Sequence, residues 1–150
     1  MDETTMDENI EIALKGGEFK RLLEYQFNII KSTYGLKTVD IDVLFFLSNC
    51  NSENTPTDIY KRLRLNRGHV SQAIDALMKK GYLVAMPDSE DRRSIHYTVS
   101  EQAKEVIAEI ASLRQNLEAH IFQGISEQEV ALYKDITAKI LKNIENLKNN

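Results

Sequence analysis

Two short runs hold the side chains with the greatest chemical reach. Arg67-Gly68-His69-Val70-Ser71-Gln72 sets a guanidinium, an imidazole, a hydroxyl and a primary amide close together. Asp88-Ser89-Glu90-Asp91-Arg92-Arg93 sets three acids ahead of two guanidiniums. Neither run is a catalytic constellation, because no nucleophile stands beside a base and no glycine-rich phosphate loop or metal-ligand spacing occurs. Their capacity is for hydrogen bonding. A guanidinium forks onto a phosphate or a guanine edge, and a primary amide pairs bidentately with adenine.

Such groups recognise a partner only if rigid elements present them, and the flanking sequence predicts those elements. Thr55-Pro56-Thr57-Asp58 opens a helix with a capping oxygen, a proline at the first helical position and an acid three residues after the cap. Ile59 and Leu63 give it an apolar face. Leu65-Asn66 turns the chain, and Asn66 caps a second helix whose Val70, Ala73, Ile74 and Leu77 face inward. Arg67, Gly68, His69, Ser71 and Gln72 then face outward. Gly81 stops this helix by taking the left-handed conformation at low cost. Tyr82–Met86 and Ser94–Val99 read as strands joined by a turn over Pro87–Arg93. Two helices on a tight turn followed by a hairpin make a winged helix-turn-helix.

Charge follows the same division. The chain of 150 residues carries a net −4, yet Thr55–Ser100 holds eight basic and five acidic residues, a net +3. A positive module on an acidic body suits contact with phosphate by that module alone. The single cysteine, Cys50, forms no intramolecular disulfide and fits a reducing cytosol. The acidic start, Met1–Glu8, is unlike a secretory or mitochondrial signal. No apolar run approaches the roughly 20 residues of a membrane span. A cytoplasmic protein without membrane contact is expected.

The flanks are helical by periodicity. Ile10–Tyr34 reads as one long helix with Phe19, Leu22, Leu23, Phe27 and Ile30 on its stripe, kinked or starting late at Gly16-Gly17, where helix propensity is about 2 kcal/mol below an alanine pair. Thr38 is placed to cap a helix through Ile41–Leu47 that is apolar on most sides and so central to the core. Ser100 is placed to cap a long helix reaching about Phe122. Ser126-Glu127-Gln128-Glu129 is a capping box for a last helix bearing Val130, Tyr133, Ile136, Ile140, Ile144 and Leu147. These stripes outrun a winged module of this size, and a second copy of the chain is the simplest partner for them.

Leu65-Asn66-Arg67 with Val70-Ser71, Leu77-Met78-Lys79-Lys80-Gly81-Tyr82-Leu83, the tip Asp88-Ser89-Glu90-Asp91-Arg92-Arg93-Ser94 and Val99-Ser100-Glu101 together resemble the MarR family of bacterial transcription regulators. The resemblance implies a mainly α fold: a winged helix-turn-helix with a small β-hairpin wing and long N- and C-terminal dimerisation helices. The helical dimerisation region would be residues 1–36 and 101–150, and the winged DNA-binding region 37–100. It implies a homodimer that binds a pseudo-palindromic operator in double-stranded DNA, acts as a repressor and responds to a small-molecule effector. Arg67, Gly68, His69, Ser71 and Gln72 would enter the major groove. Arg93 would reach the minor groove with Asp91 bracing its guanidinium from the same strand face, and Arg92 would turn toward phosphate or the protein body. Thr55, Thr57 and Lys61 would contact phosphates. Family members more usually carry small hydroxyl residues at the positions of Gly68 and His69, and often arginine at that of Gln72, so the operator sequence stays open.

An effector crevice of the family's kind would draw on Tyr25, Phe27, Phe46, Tyr60 and Phe122, although aromatics at helical spacing more often build a core. Cys50 has no positive neighbour to stabilise a thiolate and does not match the family's N-terminal sensing cysteine. His69, His96 and His120 are too scattered for a metal site, and no cofactor or catalytic residue is expected. The alternative to operator binding is a winged module used for protein–protein contact, against which Arg67, Arg92 and Arg93 argue.

Overall fold

A computed structural model describes residues 8–150, so the acidic stretch Met1–Asp7 lies outside the described residues. The elements are α1 (Glu8–Lys15), α2 (Gly17–Gln26), α3 (Asn28–Tyr34), α4 (Thr38–Asn49), α5 (Pro56–Leu63), α6 (Arg67–Lys79), β1 (Leu83–Pro87), β2 (Ile95–Val99), α7 (Lys104–Ile121) and α8 (Glu127–Lys148). The chain divides into two compact units, one up to Leu113 and one from Arg114 onward.

In the first unit the core forms around α4. Ile41, Val43, Leu44 and Leu47 are buried there and meet Ile59 of α5, Val70, Ala73, Ile74 and Leu77 of α6, Leu83 of β1, and Val106 and Ile110 of α7. A helix with apolar residues on most sides must be surrounded, and α4 touches α5, α6 and β2. Its one buried acid, Asp40, accepts the Lys37 N–H at 2.8 Å and so satisfies an end donor of the helix. Thr38 is therefore the first helical residue rather than the cap. Its hydroxyl meets Lys31 Nζ at 3.3 Å.

The expected single helix over Ile10–Tyr34 is three. Gly16 takes a left-handed φ of 69° and separates α1 from α2, as its lack of Cβ permits. A second break falls at Phe27, with φ −85° and ψ 0°. Phe27 N–H still bonds Leu23 O at 3.0 Å and Lys31 N–H bonds Phe27 O at 2.9 Å, so backbone bonds continue on both sides of the break. Phe27 is 4% exposed and belongs to the core, and no glycine or proline marks this break.

β1 and β2 pair antiparallel, from Leu83 opposite Val99 to Pro87 opposite Ile95. Ser100 does not cap α7. Its hydroxyl donates to Gly81 O at 2.5 Å and its amide to Tyr82 O at 2.9 Å, closing the base of the hairpin. The chain then enters α7 through a 3-10 turn at Glu101–Ala103. Gly81, at φ 77°, makes the left-handed exit from α6 that this closure needs.

The second unit holds the rest of α7 and α8. Ser126 caps α8 as expected: its Oγ accepts the Glu129 N–H at 3.1 Å, and Glu129 Oε1 accepts the Ser126 N–H at 3.5 Å. Leu132, Tyr133, Ile136, Ile144 and Leu147 are all exposed in the single chain, and no residue of α8 is buried. Among the described residues no helix is long and apolar enough to cross a membrane.

Candidate nucleic-acid interface

α5 is started by a reciprocal cap. The Thr55 hydroxyl accepts the Asp58 N–H at 3.2 Å and donates to Asp58 Oδ2 at 2.8 Å, while the Thr55 N–H reaches the same carboxylate at 3.2 Å. This commits Thr55's hydroxyl to the helix end. Thr57 and Lys61 are exposed on α5 beyond it. The helix ends at Arg64, a non-glycine residue at φ 56°, and the Leu65 N–H closes onto Tyr60 O at 3.0 Å. Asn66 Oδ1 then accepts the Gly68 N–H at 2.7 Å and the His69 N–H at 3.4 Å, so α6 starts at Arg67.

α6 divides its faces as its sequence predicts. Val70, Ala73, Ile74 and Leu77 are buried, while Arg67, Gly68, His69, Ser71, Gln72 and Asp75 are exposed. Four buried anchors fix the helix, and the exposed face is left to a partner. Arg67 is held in place before any partner arrives. Its Nη2 donates to the Tyr60 hydroxyl at 2.7 Å and its guanidinium carbon stands 4.8 Å from the Tyr60 ring centroid. The hydrogen bond from Arg67 lowers the Tyr60 phenol pKa against partial desolvation, with a smaller contribution from Thr57. Tyr60 thus links α5 to the first residue of α6 and holds the Arg67 side chain. The signal for this was its position on the α5 face that turns toward α6.

The wing tip is a set of turns closed by carboxylates. Asp88 N–H bonds Ser94 O at 3.0 Å and Ser94 N–H bonds Asp91 O at 3.0 Å. Asp88 Oδ1 accepts the amides of Glu90 at 2.8 Å and Asp91 at 3.2 Å, and Asp91 Oδ1 accepts the amide of Arg93 at 3.0 Å. Asp91 therefore shapes the backbone at Arg93 and does not grip its guanidinium. Alternation along a strand fails as an argument here, because residues 91–93 lie outside β1 and β2. Arg92 and Arg93 are exposed, and neither enters an ion pair among the described residues.

Sequence reasoning missed the support beneath this tip. His96 Nε2 lies 2.7 Å from Asp88 Oδ2, and His96 Nδ1 lies 2.5 Å from Oδ1 of the buried Asn54. The His96 hydrogen bond, then the amides of Glu90 and Asp91, hold the Asp88 carboxyl well below the usual carboxylate range, at about 2. A depressed carboxylate pKa contributes stability that is present above the unfolded value, about 3.9, and is lost as pH falls through the folded one. Order in the tip should therefore fade between about pH 4 and pH 2, seen by NMR as a late-titrating Asp88 carboxyl accompanied by the Glu90 and Asp91 amides. An Asp88 titration at the ordinary carboxylate value would contradict this.

A cleft of about 390 Å³ lies between the start of α4 and α6, lined by Gly35, Lys37, Val39, Asp40, His69, Gln72, Ala73 and Ala76. None of the five aromatic candidates lines it. Tyr25 is 72% exposed, Phe27 is core, and Phe46 packs at the core's edge. In the second unit Phe122 meets Tyr133 edge-on at a centroid distance of 6.3 Å. Burial pushes the Cys50 thiol pKa up, with Asp58 and Glu53 adding to it, the opposite of what a reactive thiolate requires. His120 Nδ1 sits 2.8 Å from Asn116 O. Among the described residues no group of three or more His, Cys, Asp or Glu side chains could hold a metal.

Comparison with known proteins agrees with this geometry. Residues 36–103 match the winged helix DNA-binding domain. The transcriptional repressor MprA of Escherichia coli is 22% identical over 127 residues, covering 85% of this chain and 72% of that one. The HTH-type transcriptional regulator PecS of Dickeya dadantii is 23% identical over 145 residues, covering 93% and 87%. Among solved structures, a MarR protein from Peptoclostridium difficile superposes with a TM-score of 0.78 at 21% identity, covering 97% of this chain and 94% of that one. The transcriptional regulator SlyA superposes with a TM-score of 0.77 at 21% identity, covering 90% and 94%. Domain match and fold converge with the anchored α6 and its hairpin wing: residues 36–103 are a winged helix DNA-binding domain, carried in a chain that shares the fold of the MarR and SlyA structures on which it superposes.

Proposed function

We propose that the protein is a cytoplasmic homodimer, without enzymatic activity, that represses transcription by binding a pseudo-palindromic operator. The observation that carries the DNA-binding mode is α6, buried along Val70, Ala73, Ile74 and Leu77 and exposed along Arg67–Gln72. Base-edge recognition needs this combination, because the reading side chains must be held by a helix that does not move. In this reading Arg67, Gly68, His69, Ser71 and Gln72 meet the major groove. Arg93 meets the minor groove and Arg92 a phosphate, while Thr57, Lys61 and the capped end at Thr55 position the backbone.

Dimerisation through residues 1–36 and 101–150 is supported by the apolar side chains exposed in the single chain. Ile10, Ile12, Leu14 and Phe19 stand on α1 and α2, and Leu132, Tyr133, Ile136 and Ile144 on α8. Repression is supported by MprA, which is a transcriptional repressor. Release by a small ligand belongs to the same reading. An occupant of the cleft against His69 and Gln72 would meet DNA-facing side chains directly.

Selection of duplexes from a randomised pool, followed by affinity measurements across salt, tests this function. A two-fold related pair of half-sites should emerge about 34 Å apart, one turn of duplex. The logarithm of affinity should fall linearly with that of salt concentration. Sedimentation should give twice the chain mass. A pool that yields no enriched sequence would favour the protein-contact use of the wing.

A further inference from the structure

The loop before α5 and the wing are far apart in sequence, yet Asn54 joins them twice. Its backbone oxygen accepts the Tyr97 N–H at 3.0 Å, extending the hairpin edge by one contact. Its side-chain oxygen meets His96 Nδ1 at 2.5 Å, and the other ring nitrogen carries the connection to Asp88. Asp88 then organises Glu90 and Asp91 through their amides, and Asp91 organises Arg93. At the other end, Asn54 directly precedes the capping residue Thr55, and Glu53 is tied to Arg62 of α5 by an ion pair of 2.7 Å. Asn54 is 6% exposed, and the His96 and Asp88 side chains are 29% and 30% exposed. The path therefore runs from the start of the helix-turn-helix through the shielded Asn54, His96 and Asp88 to the exposed amides and carboxylate of the wing tip.

We propose that His96 is a positioning residue for DNA recognition, a rigid spacer between Asn54 and Asp88 that sets where Arg93 stands relative to α6. Two grooves of one duplex are read together only if the wing and the recognition helix keep a fixed separation. A two-stranded ribbon is by itself a weak guarantor of that separation. Strand pairing holds only as far as Pro87 opposite Ile95. Beyond that point two backbone bonds, Asp88 N–H to Ser94 O and Ser94 N–H to Asp91 O, and the carboxylates of Asp88 and Asp91 hold the tip, and Asp88 is the carboxylate fastened to the protein body through His96. The imidazole suits the task because it is flat and short and bonds at both edges. This role rests on the reading in which Arg93 contacts DNA.

A double-mutant cycle separates the two ideas, using the tightest duplex that the wild-type protein selects from a randomised pool. His96→Val places a residue of high strand propensity in β2 and removes both hydrogen bonds. It should weaken binding by about tenfold in the wild-type background and by less than about twofold in the Arg93→Ala background, because a misplaced arginine and a missing one cost the same contact. His96→Gln, which can still donate to Asp88, should recover binding to within about threefold of wild type. Amide exchange at Glu90 and Asp91 should accelerate in His96→Val without DNA. Equal losses in both backgrounds, or unchanged exchange at those amides, would overturn the positioning role while leaving Arg93's contact intact. An Arg93→Ala protein that binds like wild type would instead overturn the wing contact and, with it, the role of His96. If His96→Val does not fold, Asn54→Ala runs the same cycle with β2 unaltered, under the same criteria.

Discussion

Leu44→Ala is expected to lower the free energy of unfolding by about 2–5 kcal/mol, the range for emptying a well-packed leucine site. Leu44 is 0% exposed at the middle of α4, with α5, α6 and β2 packed around that helix. No neighbour can collapse into the space without moving one of those elements, so the cost should fall in the upper part of the range. Against a total of about 5–15 kcal/mol for ordinary domains, this is a large fraction. Urea denaturation at fixed protein concentration should show a lower midpoint with an unchanged slope. A loss below about 1 kcal/mol would mean that α4 is not the packed centre of this unit. DNA binding should decline with temperature in parallel, since α6 is seated on α4.

Arg93→Ala is expected to weaken specific DNA binding by about 1–3 kcal/mol, roughly 5- to 150-fold, with little change in thermal stability. The guanidinium is exposed and enters no ion pair among the described residues, so its removal leaves no buried partner unsatisfied. Its backbone is pinned by Asp91, so the side chain starts from a fixed point and loses less freedom on binding. The loss should be greater on a selected duplex than on sheared genomic DNA, since a groove contact discriminates and a phosphate contact does not. An affinity within twofold of wild type at fixed salt would remove Arg93 from the interface.

Local chemistry makes much of the α5–α6 unit readable in the sequence. Thr55 with Asp58, and Asn66 before Arg67, are caps written within four residues, and Val70, Ala73, Ile74 and Leu77 recur at the helical period. Features that depend on tertiary packing were not readable. The break at Phe27 has no glycine or proline to mark it. Ser100 sits where a cap is plausible, but its hydroxyl is drawn to Gly81 by the closure of the hairpin. The Asn54–His96 bond joins residues 42 apart, and nothing in the neighbourhood of either one announces the other. Strand alternation puts Asp91 and Arg93 on one face, whereas the tip is a turn, and there the carboxylate accepts the Arg93 amide instead of meeting its guanidinium.

Arg64 bears on how this protein could be improved or spoiled. A branched or long side chain in the left-handed region costs about 1 kcal/mol or more that glycine does not, and Arg64 stands there at φ 56° between the two helices. Selection for heat resistance alone would find position 64 early, because Arg64→Gly relaxes the backbone without disturbing any buried group. The same change would remove an exposed cation from the short link between α5 and α6. Thermostability and positive charge beside the recognition helix are thus set against each other at one residue, and a screen that scores only melting temperature would drift toward a sturdier protein with a weaker hold on a polyanion.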